Sequence, residues 1–145
     1  MKIAVYPGSF NPFHVGHQDV LIKAIKTFEK VIVAVGINPE KNKHLDETGL
    51  LELTKRVKAL VPIHVQDNIE IRIFSGLLKD FVEEVGAHVI IKGLRNSLDL
   101  EYEKAQQYWN EDLGITIPTF YIITDRKYIH ISSSTIRQIE SFNKK

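Results

Sequence analysis

Apolar positions in this chain alternate between short runs and helical stripes from one end to the other. Lys2 to Tyr6, Val31 to Gly36, Ile69 to Phe74, His88 to Lys92 and Pro118 to Thr124 are short and rich in Val, Ile or aromatic residues, as buried strands are. Between them the apolar period lengthens to that of a helix over Val15 to Phe28, Leu50 to Leu60, Gly76 to Val85, Leu98 to Leu113 and about Ser134 to Phe142. In the first of these, Val20, Leu21, Ala24, Ile25 and Phe28 share one face. Strands separated by helices predict an α/β fold: a single domain with a five-stranded parallel sheet, right-handed crossovers and helices on both faces. Pro7-Gly8 is expected to close the first strand. Asn38 to Thr48 is the one long polar stretch, carrying Lys41, Lys43 and His44, and reads as a lid or binding loop or as a solvated surface loop.

Composition narrows the function classes. The 145 residues are 43% hydrophobic, enough for one domain with its own core. Lys and Arg number 19 against 18 Asp and Glu, a net charge of +1 that gives no electrostatic reason to expect a nucleic-acid or membrane partner. With no cysteine there is neither a disulfide framework nor thiolate catalysis. The N-terminus lacks the apolar region of an export signal, and no run approaches the roughly 20 residues of a spanning helix. A cytoplasmic protein is the expectation.

Three clusters carry candidate chemistry, each just after a predicted strand, where open α/β sheets place their ligands. In Tyr6 to His17, a Gly turn leads into a helix whose first N–H groups lack internal partners and favour an anion. His14 and His17 are three apart and share a face there. Singly, each is as readily a solvated or capping residue. As a zinc pair they lack the further ligands zinc needs, since the chain has no Cys and no His-Glu-x-x-His. Lys92-Gly93-Leu94-Arg95 puts two cations around a Gly turn, suited to a phosphorylated ligand or, alternatively, to ion pairs with Asp99 and Glu103. In Ile131 to Arg137, one serine is explained as a helix N-cap, but three serines and Arg137 resemble a second phosphate-facing helix terminus.

With those residues on the page, the chain resembles a known family. Tyr6 to His17 is similar to the (Thr/His)-x-Gly-His signature of the nucleotidyltransferase superfamily, and Ile131 to Arg137 resembles its second signature. Lys92-Gly-Leu-Arg95 followed by Asp99-Leu-Glu-Tyr-Glu103 most resembles the bacterial phosphopantetheine adenylyltransferases, and the similarity runs from Tyr6 to Arg137. The resemblance implies a Rossmann-like fold and transfer of AMP from ATP to 4'-phosphopantetheine, with Mg2+ bound alongside ATP and a homo-oligomer, commonly a hexamer.

The resemblance also implies roles for residues. His17, His14, Lys92 and Arg95 would be catalytic. ATP would meet Ser9, Phe10, His17, Gly93, Leu94, Arg95, Glu103 and the run Tyr128, Ile129, His130, Ile131, Ser132, Ser133, Ser134, then Arg137. The acceptor would meet Ser9, Lys43, Leu77, Leu78, Lys92 and Asn110; no residue is expected to ligate a metal. This chain departs from the family pattern at His14 (usually Thr), Asn11 (usually Asp), Lys92 (usually Arg) and Tyr128 (often Trp). The family's acceptor-contacting Lys falls near Asn42, where Lys43 or Lys41 can substitute. Two alternatives stand beside this reading: another nucleotidyltransferase, acting on nicotinamide mononucleotide or transferring a cytidylyl group, as His14 suggests, and a non-catalytic nucleotide-binding module.

Overall fold

The computed structural model describes residues 1–37 and 47–143, apart from the side chains of Glu47 and Thr48. The strands are β1 (Ile3–Gly8), β2 (Lys30–Ile37), β3 (Ile69–Ser75), β4 (Val89–Leu94) and β5 (Thr119–Ile123). The helices are α1 (Val15–Ile25), α2 (Glu47–Leu60), α3 (Leu78–Val85), α4 (Ser97–Asp112) and α5 (Ser133–Asn143). All strand pairs are parallel, in the order β3-β2-β1-β4-β5. The predicted α/β architecture is therefore the one observed, and a parallel sheet covered on both faces explains why the strands read as unbroken apolar runs.

The two-residue period of the strands sorts that apolar content into two cores. Ala4, Tyr6, Val31, Val33, Val35, Val89 and Ile91 face α1 and α2, meeting Val20, Leu21, Ala24, Leu53 and Val57. Val5, Ile32, Ala34 and Ile90 face the other way, onto Phe81 and Val82 of α3. Each fully buried aliphatic side chain stabilises by roughly 1.5–3 kcal/mol, so the central strands anchor whatever their ends carry.

Strand order reverses between β1 and β4, and there the sheet opens. β1 pairs with β2 through Pro7 and Gly8 but with β4 only at Ala4 and Val5. This corrects the expected end of β1: Pro7-Gly8 does not close the strand. Pairing on one side only leaves an open side for the missing proline N–H. Smaller differences are short 3-10 turns at Ile63–Asn68 and Arg126–Tyr128, too brief to show as periodicity, and an α2 that begins at Glu47. The residues 38–46 of the polar stretch, Lys43 among them, lie outside the described residues.

Candidate active site

The first turn of α1 borders the same cavity as the ends of β1 and β4. His14 is its N-cap, in extended backbone, and its Nδ1 accepts the Gly16 N–H at 3.0 Å. The His14 N–H in turn donates to Nδ1 of His17 at 3.1 Å, so the two imidazoles cap the helix reciprocally. Both Nδ1 atoms are acceptors, which leaves the proton of each neutral ring on Nε2. The rings stack with centroids 3.8 Å apart. Gly16 is required beneath them, because a Cβ there would stand 2.9 Å from Cε1 of His14.

Aromatic rings pack on the His17 side of this pair. Phe10 packs edge-on to His17 at 4.9 Å and Phe13 lies at 5.3 Å. Burial is accordingly the largest cause lowering the His17 pKa to about 3, followed by His14 and Arg95. His14 is lowered to about 4 by burial and then by Arg95 and Arg56. At neutral pH the pair presents two uncharged Nε2–H donors beside a helix N-terminus, a setting for phosphate oxygens with no cation–cation repulsion between the stacked rings.

The cations come from the end of β4. The Arg95 guanidinium holds Asp99 through Nε at 3.0 Å and Nη2 at 3.1 Å, and the Arg95 N–H donates to the same carboxylate at 2.8 Å. Burial would push the Asp99 carboxyl up, but its hydrogen bonds from Arg95 outweigh that and hold it below the usual range. Lys92 Nζ lies 3.6 Å from Glu103. The ion pairs weighed from the sequence are thus present, and they line a cavity rather than a solvated surface. Gly93 lets β4 lie against α1: a Cβ there would meet Cγ2 of Val20 at 2.8 Å.

The loop before His14 is gripped through three successive carbonyls. Arg137 donates to the Asn11 carbonyl, Ser133 Oγ to that of Pro12 at 2.9 Å, and Arg56 Nε to that of Phe13 at 2.6 Å. Arg137 also reaches Ser134 Oγ at 3.3 Å, and Ser132 Oγ accepts the Thr135 N–H at 3.2 Å, as an N-cap does. Ser133 and Arg137, read from the sequence as phosphate ligands, here fix the β1–α1 loop.

These parts enclose a cavity of about 440 Å³ at the carboxyl edge of the sheet. Of the residues singled out from the sequence, Ser9, Phe10, His14, His17, Lys92, Gly93, Arg95, Glu103, Ile131, Ser132, Ser133, Ser134 and Arg137 line it. Leu94, Tyr128, Ile129, His130, Leu77, Leu78 and Asn110 are not on its wall. Leu77 stands before α3, half exposed, Leu78 packs on the α3 core, and the Tyr128 ring carries the Lys127 ammonium at 5.0 Å. Asp99 and Tyr102, quoted from the sequence in the family motif but given no ligand role, line the cavity too, as does Thr124, which the sequence did not single out; Arg56 of α2 holds the loop beside it through the Phe13 carbonyl. Arg56 had a signal, a cation one position before Val57 on the buried face of its helix; Thr124 had none beyond ending a strand.

Comparison with known proteins shows the family. A family model described as cytidylyltransferase-like matches residues 5–139. Phosphopantetheine adenylyltransferase of Clostridium beijerinckii is 42% identical over 142 residues, 98% of this chain and 86% of that protein. The Clostridium novyi protein of the same name is 41% identical over 143 residues, 98% and 85%. Among solved structures, pantoate-beta-alanine ligase from Francisella tularensis superposes with a TM-score of 0.63 at 15% identity, over 99% of this chain and 69% of that one. A bifunctional NMN adenylyltransferase/ADP ribose pyrophosphatase from Francisella tularensis gives 0.56 at 17%, over 95% and 41%. At such identities the structural likeness is one of fold.

Proposed function

The chain belongs to the phosphopantetheine adenylyltransferase family, and from that premise we propose that it transfers AMP from ATP to 4'-phosphopantetheine, yielding dephospho-coenzyme A and pyrophosphate. The observation that carries this reading is the single cavity in which His14, His17, Lys92, Arg95 and the α5 serines meet at the strand-order reversal. An acceptor phosphate oxygen attacks the α-phosphorus of ATP in line, and pyrophosphate leaves from the opposite side. No side chain forms a covalent bond; the protein positions the reactants and stabilises negative charge.

His17 donates Nε2–H to the α-phosphate as charge develops, and His14, stacked on it, offers a second such donor. Because both rings are neutral before ATP arrives, no proton has to be shed and the donors need no reorientation. Lys92 and Arg95 bring positive charge to the acceptor phosphate and the polyphosphate, exchanging contacts with Glu103 and Asp99 for contacts with substrate. Among the described residues no three metal-ligating side chains gather, and Asp99 and Glu103 are engaged with Arg95 and Lys92. By the family resemblance, Mg2+ would be bound together with ATP, as a counter-ion of its phosphates.

Assembly into a homo-oligomer, a hexamer by family resemblance, belongs to the same proposal. Leu98, Tyr108 and Trp109 of α4 and Phe120 and Ile123 of the edge strand β5 stand exposed in support of it. So does a cytoplasmic location; among the described residues no helix is long and apolar enough to cross a membrane.

Pyrophosphate release tests the proposal, with ATP or CTP offered against 4'-phosphopantetheine, nicotinamide mononucleotide and an alkyl phosphate. Release with ATP and 4'-phosphopantetheine alone is expected. Preference for nicotinamide mononucleotide would move the acceptor to the alternative that His14 raises, and tight ATP binding with no release from any acceptor would indicate a binding module.

A further inference from the structure

Lys23, Asp19 and Asp125 form a charged cluster that the reaction above does not use, and none of the three lines the cavity. Lys23 Nζ donates to Asp19 Oδ2 at 3.0 Å, to Asp125 Oδ1 at 2.8 Å and to the Ile123 carbonyl at 2.9 Å. The Asp125 N–H donates to the same Asp19 Oδ2 at 2.8 Å. All three N–H donors of the ammonium are therefore engaged. Both chain neighbours of Thr124, which is on the cavity wall, are tied to α1 in this way. The Asp19 carboxylate at the centre is 12% exposed, so the cluster is a joint between two elements and not an isolated surface pair.

What the joint holds is the start of the segment that leads from β5 to α5. Over residues 125–130 the backbone bonds stay local, with the Tyr128 N–H on the Asp125 carbonyl at 2.9 Å and the Ile129 N–H on that of Arg126 at 3.4 Å. Among the described residues, the hydrogen bonds that tie 125–130 to another helix or strand are those of Asp125 with Lys23 and Asp19. Beyond it, Ile131, Ser132, Ser133, Ser134 and Arg137 return to the cavity. The first turn of α1 carries His14 and His17, so the joint refers this wall to the helix that bears the imidazole donors. On the reading above, on which this inference rests, those donors meet the α-phosphate while the α5 terminus grips ATP. We propose that Lys23 is a positioning residue for ATP, joining Asp19 to Asp125 so that the wall from Thr124 to Ser134 keeps its place relative to the two histidines. Without the ammonium, two carboxylates are left side by side, and their repulsion pushes the turn away from α1.

The test compares wild type, Lys23→Ala, Lys23→Arg, Asp125→Asn and the double variant of Lys23→Ala with Asp125→Asn. Each is assayed in steady state with ATP and 4'-phosphopantetheine and, separately, for the Kd of ATP alone. Lys23→Ala should raise the KM and Kd for ATP about fivefold, the upper worth of a partly exposed ion pair, with kcat and the KM for 4'-phosphopantetheine within about twofold of wild type. Lys23→Arg should stay near wild type, since a guanidinium can bridge both carboxylates. Adding Asp125→Asn to Lys23→Ala removes the repulsion and should recover part of the loss, which independent effects would not do. Asp125→Asn alone should raise the KM for ATP about twofold, and it serves if Lys23→Ala does not fold. A lower melting temperature with unchanged KM and Kd for ATP would overturn the assignment. Equal rises in both KM values, or a double variant worse than Lys23→Ala, would do the same. Wild type that binds ATP but releases no pyrophosphate would count against the proposed reaction, with the Kd comparison still deciding the role of Lys23; wild type that binds no ATP would overturn both.

Discussion

Two helix N-termini face the same cavity and are built differently. The α1 terminus is enclosed by Tyr6, Phe10 and Phe13, capped reciprocally by two histidines and rooted in a central strand. The α5 terminus is capped by Ser132, and Ile139 and Phe142 of its helix stand exposed. Its residues touch α1 through backbone carbonyls of the β1–α1 loop. Groups that must meet developing charge with fixed geometry belong on the first, whereas the second gains by being less tightly committed. The expected division is chemistry at α1 and grip at α5.

The sharpest way to break that division is to delete one group from each side. His17→Ala should lower kcat by roughly 10²-fold or more, by comparison with loss of an oxyanion donor. Ser133→Ala should raise the KM for ATP more than it lowers kcat; equal kcat losses in steady-state assays would erase the distinction. Next in size, Gly93→Ala forces a Cβ against Val20 and should destabilise the fold by about 1–3 kcal/mol, read in denaturant melts. Val20→Ala in the same chain should recover part of that loss, since it removes the clashing methyl.

The pH response follows from the two histidines. Their folded pKa values, about 4 and about 3, lie below the ordinary 6.5, so the unfolded chain takes up protons first as pH falls. Their contribution to stability is therefore complete above about pH 6.5 and is lost as pH drops toward those folded values. A melting temperature that falls over this window in wild type and falls less in His17→Gln is the expected outcome. The smallest effect belongs to α5: Ser132→Ala removes an N-cap and should cost about 1 kcal/mol, seen as faster amide exchange in the first turn of α5.

Much of this was legible beforehand for identifiable reasons. Buried parallel strands and amphipathic helices announce themselves by period, and the five strand-helix alternations survive with ends shifted by a few residues. The strand-end clusters at His14 to His17, Lys92 to Arg95 and Ser132 to Arg137 were readable because a ligand at a sheet's carboxyl edge needs Gly turns and charge there. Pro7 misled because a proline usually ends a strand, and only the divergence of β4 lets it stay. The grip of Arg137 on Asn11, of Ser133 on Pro12 and of Arg56 on Phe13 spans distances in sequence that no local pattern encodes. Thr124 was silent for the same reason: its place on the cavity wall comes from the pairing of β5 with β4.

One measurement reaches the centre of the mechanism, a ¹⁵N NMR titration of the His17 ring. The expected result is a neutral ring with Nε2 protonated and Nδ1 unprotonated from pH 8 down to about pH 4, with protonation setting in only below that. A ring that titrates near 6.5, or that carries its proton on Nδ1, would contradict the assignment of His17 as a pre-organised neutral donor to the α-phosphate.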